Sequence, residues 1–473
     1  MKPTLKKTIT ILLSTLMLIS ALTACGESTT LISFLDMGSQ NINLDGLVLE
    51  LGDTLSSEDE RIMSYKINTN LSDLALKRFA DIEKNYNCEI NRNYIAGIKG
   101  TLLAQQIMAN ACAYDILYVG HEQSQQLAAG KAIIPAYGYI NLNNPDKYGM
   151  PSVQEANAYK GEIYLISPYS WLYNQPASLD IIVFNMDHVT RYGKPDPKEF
   201  IENKAWNWDA FETVVSDYYV NDGGTEVYSL ACRGFDALKL LILSNGVNFT
   251  YETDNGTIKS DFGQANMLEA IEFFNRVFNE NLEKIPLSLA GDVDWDDTID
   301  SFVVQQNSMA CLTAPSMLYG EIAYKVENYS IMPFPSGPKG EYGVWPAVIE
   351  SLDGFAVPKT SREPEIAFQI IDQICEPLDG FETEESRIAF LAENVVFDQF
   401  DAEIAMTAHR NGTYSYWKAD VGNFGPDLLW RKLSESHNST KTANILGQYE
   451  DEFSASVKEY MTPNLGLSKY FED

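Results

Sequence analysis

Leu47-Val48-Leu49-Glu50-Leu51-Gly52 is an apolar run closed by a glycine, and it opens the stretch that decides the fold. The turn pair Asp45-Gly46 precedes it, so the run predicts a buried strand. Apolar residues at 71, 74, 75, 76, 79, 82 and 86 follow with helical spacing and predict a helix over Leu71–Tyr86. Glu89–Tyr94 reads as a second strand, Leu102–Asn110 as a second helix, and Asp115-Ile116-Leu117-Tyr118-Val119 as a third strand. Strands alternating with helices predict βαβ units, an α/β fold and a largely parallel sheet. In open sheets of that kind, ligands sit at the carboxyl ends of the strands.

Upstream, the first 25 residues have the parts of a secretory signal. Lys2, Lys6 and Lys7 make a basic start, Ile9–Ile19 is mostly apolar, and Leu22-Thr23-Ala24-Cys25 closes it with small residues before a cysteine. The apolar run is shorter than the ~20 residues a membrane span needs. Leu-Thr-Ala-Cys resembles the lipobox of bacterial lipoproteins. That implies a signal peptide over 1–24, a lipid on Cys25, a flexible polar tether over 25–42, and an outward-facing place on the cell membrane. An ordinary signal peptide with an incidental cysteine is the alternative.

A formal charge of −32 argues against nucleic-acid or anionic-lipid partners, which require clustered Lys and Arg. The chain past Cys25 is too long for one hydrophobic core and predicts two lobes. The five later cysteines (88, 112, 232, 311 and 375) are scattered and odd in number, with no CxxC pair. They read as buried free thiols rather than a disulfide framework or a zinc site. Four dispersed histidines show no metal site, and no cofactor is implied.

Further along, short segments resemble, in order, the extracellular carbohydrate-binding proteins (family 1) of ABC importers. Gln126-Leu127-Ala128-Ala129-Gly130-Lys131-Ala132-Ile133-Ile134-Pro135 resembles the turn after the family's third strand. Tyr159–Pro168, Ile181–Asp187, Gly193–Pro197 and Trp206–Phe211 resemble its following segments. So do Gln306–Ala310, Pro333–Pro338 and Gly354–Ser361. Phe184 stands where Tyr is commoner, and Asn307-Ser308 where a Lys-Ala pair is usual. The resemblance implies a two-lobed, periplasmic-binding-protein-like fold with a hinge and a ligand cleft between lobes. Residues 43–168 and 315–350 would form the N-terminal lobe, and 173–311 and 354–473 the C-terminal one. The chain would cross near 168–173, 311–315 and 350–354.

Sugars are recognised by aromatic faces against their C–H side and by carboxylates or amides on their hydroxyls. Trp171 and Tyr173 lie in the densest aromatic stretch, at the first expected crossing. Trp295 sits in Asp292-Val293-Asp294-Trp295-Asp296-Asp297. Those aspartates suggest a calcium loop, but the sixth-position Gly is missing and Val303 stands where a bidentate Glu belongs. Trp345 precedes the last expected crossing, where Glu350 and Asp353 are placed to accept hydroxyls. His121 and Glu122 end the third strand. Each also has a plainer reading, as hinge packing, solvated acid or surface histidine. Trp206 and Trp208 read as structural, and Trp430 as part of a helical cap; Arg233 and Arg276 are candidates for an anionic group.

No nucleophile elbow, HExxH pair or P-loop appears, so a binding protein is expected rather than an enzyme. The resemblance implies a monomer that hands a carbohydrate, an oligosaccharide by expectation, to ABC permease subunits. A surface glycoside hydrolase is the rival from another class, since a carboxylate pair among 66 acids escapes counting. A sugar-sensing or adhesive lipoprotein without transport is the third reading.

Overall fold

The computed structural model describes residues 42–471 except 57–60, 64, 150, 172–176, 180, 254–256, 261–262, 286–294, 319–321, 323–324, 414–427, 437–438 and 461–466. Cys25 and Tyr173 therefore lie outside the described residues, as do Asp292 and Asp294.

The first sheet begins as the periodicity predicts. β1 (Leu47–Asp53) leads to α1 (Asn70–Tyr86), β2 (Cys88–Tyr94), α2 (Gly100–Met108), β3 (Ile116–Gly120), α3 (His121–Ala129) and the short β4 (Ile133–Ile134). A reciprocal capping box starts α1, with Thr69 and Ser72 each accepting the other's backbone N–H. Asn87 ends it in the left-handed conformation. Leu71, Ala75, Phe79, Ile82 and Tyr86 form its buried stripe, while Leu76 is exposed. Sheet order is β2-β1-β3-β10-β4, where β10 (Asp353–Pro358) arrives from far down the chain. β1 pairs in parallel with β2 and β3.

The second sheet is antiparallel, with β6 (Ile181–Asn185) between β7 (Ala310–Thr313) and β8 (Tyr329–Pro333). Just ahead of β6 lies β5 (Ala177–Leu179). All of β6 is buried, and its faces divide between two apolar clusters. Ile181 and Val183 belong to the cluster that runs on to the first sheet; Ile182 and Phe184 belong to the second. A continuous apolar run is what burial on both faces demands. Helices α4 (Trp208–Asp217), α5 (Gly234–Ser244) and α6 (Ala265–Glu280) build the second cluster. Every residue of α5 is buried, including Lys239, whose ammonium pairs with Asp236 at 2.9 Å. α7 (Trp295–Val303) lies against β7 and contributes Ile299 and Phe302 to the first cluster.

Two strands then carry the chain back to the first sheet. β9 (Ala347–Ser351) pairs antiparallel with β5, and β10 (Asp353–Pro358) follows after the single buried residue Leu352. β10 runs antiparallel to both β3 and β4, so the first sheet is mixed rather than largely parallel. Ile166 and Phe355 exchange backbone bonds of 2.9 Å, and a Cβ on Gly354 would fall 2.5 Å from the Ile166 carbonyl oxygen. Only glycine admits that approach.

β10 and α8 (Pro364–Ile374), which the resemblance assigns to the C-terminal lobe, pack instead with the first sheet. The reason is pairing: β10 fills the slot between β3 and β4, and α8 covers it beside α1. α9 (Gln399–Asn411) covers β8. α10 (Leu428–Ser434), carrying the fully buried Trp430, and α11 (Ser439–Tyr460) join the second cluster. Among the described residues, no helix is long and apolar enough to cross a membrane. The five later cysteines are free, Cys232, Cys311 and Cys375 buried and Cys88 and Cys112 half-buried.

Candidate ligand-binding site

The carboxyl ends of β1 and β3 come together with the start of β10. Asp53 ends β1, Gly120 ends β3, and Asp353 opens β10 directly opposite Gly120. A Cβ on Gly120 would lie 3.5 Å from Asp353 Oδ1 and 3.8 Å from Leu55 Cδ2. Asp53, Leu55, Gly120, His121 and Asp353 therefore share one edge of the sheet.

Asp53 is buried, and one of its oxygens accepts the N–H groups of Leu55 (2.9 Å) and Ser56 (2.8 Å). Burial pushes its carboxyl above the usual carboxylate range, against the pull of those bonds and of Arg92. Beside it, Gln123 fastens the rim. Its Oε1 accepts from the Thr54 hydroxyl (2.6 Å) and the Gly120 N–H (3.2 Å), and its amide donates to the Ile98 carbonyl (2.8 Å). One side chain thus ties the loops that follow β1 and β2 to the end of β3. Such a rim is set before a ligand arrives, which lowers the ordering cost of binding.

His121, first residue of α3, has Nδ1 3.2 Å from Asn157 Oδ1. The Asn157 amide donates to Ser167 Oγ at 2.9 Å, so a polar chain runs from the sheet edge to the segment entering the first crossing. Glu122 is exposed and accepts from Gln126 at 2.9 Å. An open groove of about 430 Å³ lies between α2 and α3, lined by Thr101, Gln105, Met108 and Gln126 among others. None of the predicted site residues lines that groove.

The aromatic expectations divide. Trp171 is fully buried: its ring stacks on Tyr65 at 6.1 Å, meets Phe79 edge-on, and its N–H donates to the Ile374 carbonyl at 2.8 Å. It is a core residue, and the expected ligand contact is withdrawn because no ring face is left open. Trp345 is half-buried and edge-on to the exposed Tyr342 at 5.2 Å. Their loop is pinned to the end of α5 through Gly337 N–H to the Ser244 carbonyl and Lys339 N–H to Asn245 Oδ1, both 2.9 Å. Trp295 begins α7 and Glu350 lies within β9, but their side chains fall outside the described set.

Trp206 and Trp208 are structural as read, donating to the Pro333 carbonyl (2.7 Å) and to Ser244 Oγ (2.9 Å). Arg276 is engaged by Glu212 and Arg233 by Asp236. Asp53 and Asn157 were missed in the sequence. Asp53 carried one usable signal, an acid directly after Gly52 where a predicted strand stops.

No protein-family model and no curated protein sequence matches the chain. Solved structures do match in fold. A sugar transporter from Rhizobium etli in an open conformation superposes with a TM-score of 0.59 at 15% identity, over 87% of this chain and 99% of that one. An ABC substrate-binding protein from Listeria monocytogenes in complex with cycloalternan gives 0.57 at 12%, over 87% and 99%. An ABC transporter solute-binding protein from Thermotoga lettingae bound with α-D-tagatose gives 0.56 at 11%, over 87% and 100%. The chain has the fold of these solute-binding proteins.

Proposed function

We propose that this protein is an extracellular solute-binding protein that captures a carbohydrate and delivers it to an ABC permease, held at the membrane by a lipid on Cys25. The observation that carries the reading is the sheet edge where Asp53, Gly120, His121 and Asp353 converge, at the strand ends where open sheets bind ligands. The shared fold with proteins solved holding cycloalternan and α-D-tagatose supports a sugar as the ligand class. The Asp353 carboxylate and the His121 imidazole suit hydroxyl recognition, with Asp53 buried behind them and holding the loop after β1. The exposed Tyr342 and half-buried Trp345 offer ring surface on the loop leading into β9.

A thermal-shift screen of residues 43–473 against mono- and oligosaccharides tests it. A ligand at a hundred times its Kd adds ~2.7 kcal/mol to the folded state, and a rise confined to one glycan class names the cargo. A flat response to every glycan from folded protein overturns the sugar assignment. Turnover of a reporter glycoside would instead favour the hydrolase.

A further inference from the structure

The last helix and the segment beyond it belong to different parts of the molecule. α11 is seated in the second cluster through Leu446 and Phe453, flanked by Ile445 and Tyr449. Its first turns are held by Thr442 against Ser436 (2.9 Å), whose hydroxyl accepts from Asn275 on α6 (3.2 Å). Leu467 and Tyr470, a few residues past the helix, are instead buried in the first cluster at 0% and 2% exposure.

That second seat is specific. The Tyr470 carbonyl accepts the Leu142 N–H at 3.1 Å. The Tyr470 phenol oxygen accepts the Ile163 N–H at 3.0 Å and donates to the Glu162 carboxylate. Lys469 pairs with the same Glu162 at 2.6 Å and lies over the Tyr137 ring, which meets Tyr470 edge-on at 5.5 Å. Two adjacent side chains thus grip one carboxylate, and two backbone amides of the first cluster depend on one tyrosine.

We propose that Leu467–Phe471 is a clasp: it straps the helices of the second cluster to the flank of the first sheet and limits how far the two can separate. Seven peptide units join Tyr460 to Leu467, a reach of at most about 24 Å fully extended. Any wider opening pulls the turn from its seat. The ion pair is the part that yields first, because Glu162 and Lys469 are each about a third exposed and water replaces such a pair at little cost, while the buried Leu467 and Tyr470 carry the rest of the hold. The clasp rests on the capture reading only in that capture requires the two parts to move.

The test uses the full chain carrying Leu467→Ala with Tyr470→Ala, read by amide hydrogen exchange and by small-angle X-ray scattering. Exchange at Leu142 and Ile163 should rise at least tenfold, with protection across α5 retained, and the scattering should show a larger, broader distribution of interatomic distances. Faster exchange with unchanged scattering would make the turn a local plug, and unchanged exchange would mean it is not seated there; either overturns the clasp. Should the double variant lose protection in α5, Glu162→Gln decides on the same two readouts. Failure of the sugar reading shows separately, as wild-type protein that no glycan stabilises.

Discussion

Asp353 stands across the β3–β10 pair from Gly120, its Oδ1 3.5 Å from where a Cβ on that glycine would sit. A side chain there would meet the carboxylate at ordinary van der Waals distance, and both residues are half-buried. Asp353→Asn keeps the shape and removes the charge. It should weaken glycan binding about tenfold, in the range of a charged hydrogen bond, with melting essentially unchanged. Isothermal titration of both proteins with the glycan found by thermal shift checks this. Equal affinities would remove Asp353 from the site.

The Tyr342–Trp345 loop offers a second test. Trp345→Ala should cost affinity by several-fold or more, in line with aromatic contacts worth ~0.5–1.5 kcal/mol beyond buried area. Gly340→Ala should act on the same loop indirectly, since its Cβ would fall 2.0 Å from the Ser244 carbonyl and force the loop off α5. Titrations should then show both variants weakened, with the larger fall in melting temperature in Gly340→Ala. Full affinity in Trp345→Ala would exclude that ring from ligand contact.

Trp171 predicts the opposite pattern. Replacing a fully buried tryptophan by alanine costs about 3–5 kcal/mol. Trp171→Phe keeps most of the packing but leaves the Ile374 carbonyl without its donor, at about 1–3 kcal/mol. Urea unfolding should rank the two in that order. Glycan affinity of the folded Phe variant should match wild type, and a selective affinity loss would return Trp171 to the site.

Asp401 sets a pH dependence. Burial lifts its carboxyl to about 6 from an ordinary 3.8, against the attraction of Lys198 at 3.2 Å. The folded state then binds more protons than the unfolded one between those values, so this group's contribution to stability falls as pH rises from about 4 to 6. Asp401→Asn removes that slope. Melting from pH 4 to 7.5 should show the variant gaining on wild type up to about pH 6 and holding level above it. A constant difference across the range would refute the assignment.

Cys25→Ser, expressed in a bacterial host with its leader intact, should abolish incorporation of radiolabelled palmitate and release the chain from the membrane fraction. Labelling that persists would remove the lipid from Cys25.

The elements around the site were legible because periodicity is a local property. β1 was expected at 47–52 and is found at Leu47–Asp53; α1 was expected at 71–86 and is found at Asn70–Tyr86. Neither needs anything from distant sequence beyond a core to face. The partners of those elements were not legible. Nothing in Asp353–Pro358 announces antiparallel insertion between β3 and β4, because the slot exists only once the first sheet is built. Trp171 and Trp345 look alike in sequence, both aromatic and both near an expected crossing. One was closed off by Tyr65 and Phe79 from about a hundred residues earlier and by the Ile374 carbonyl of α8 some two hundred residues later, and the other left half open by a loop pinned to α5. Asp53 became a site candidate only when the ends of β3 and β10 were brought beside it. Sequence determined the strands and helices around the site, since these depend on neighbours along the chain. Tertiary structure decided which polar and aromatic groups stay accessible and which are buried, since burial is set by whatever packs across the gap.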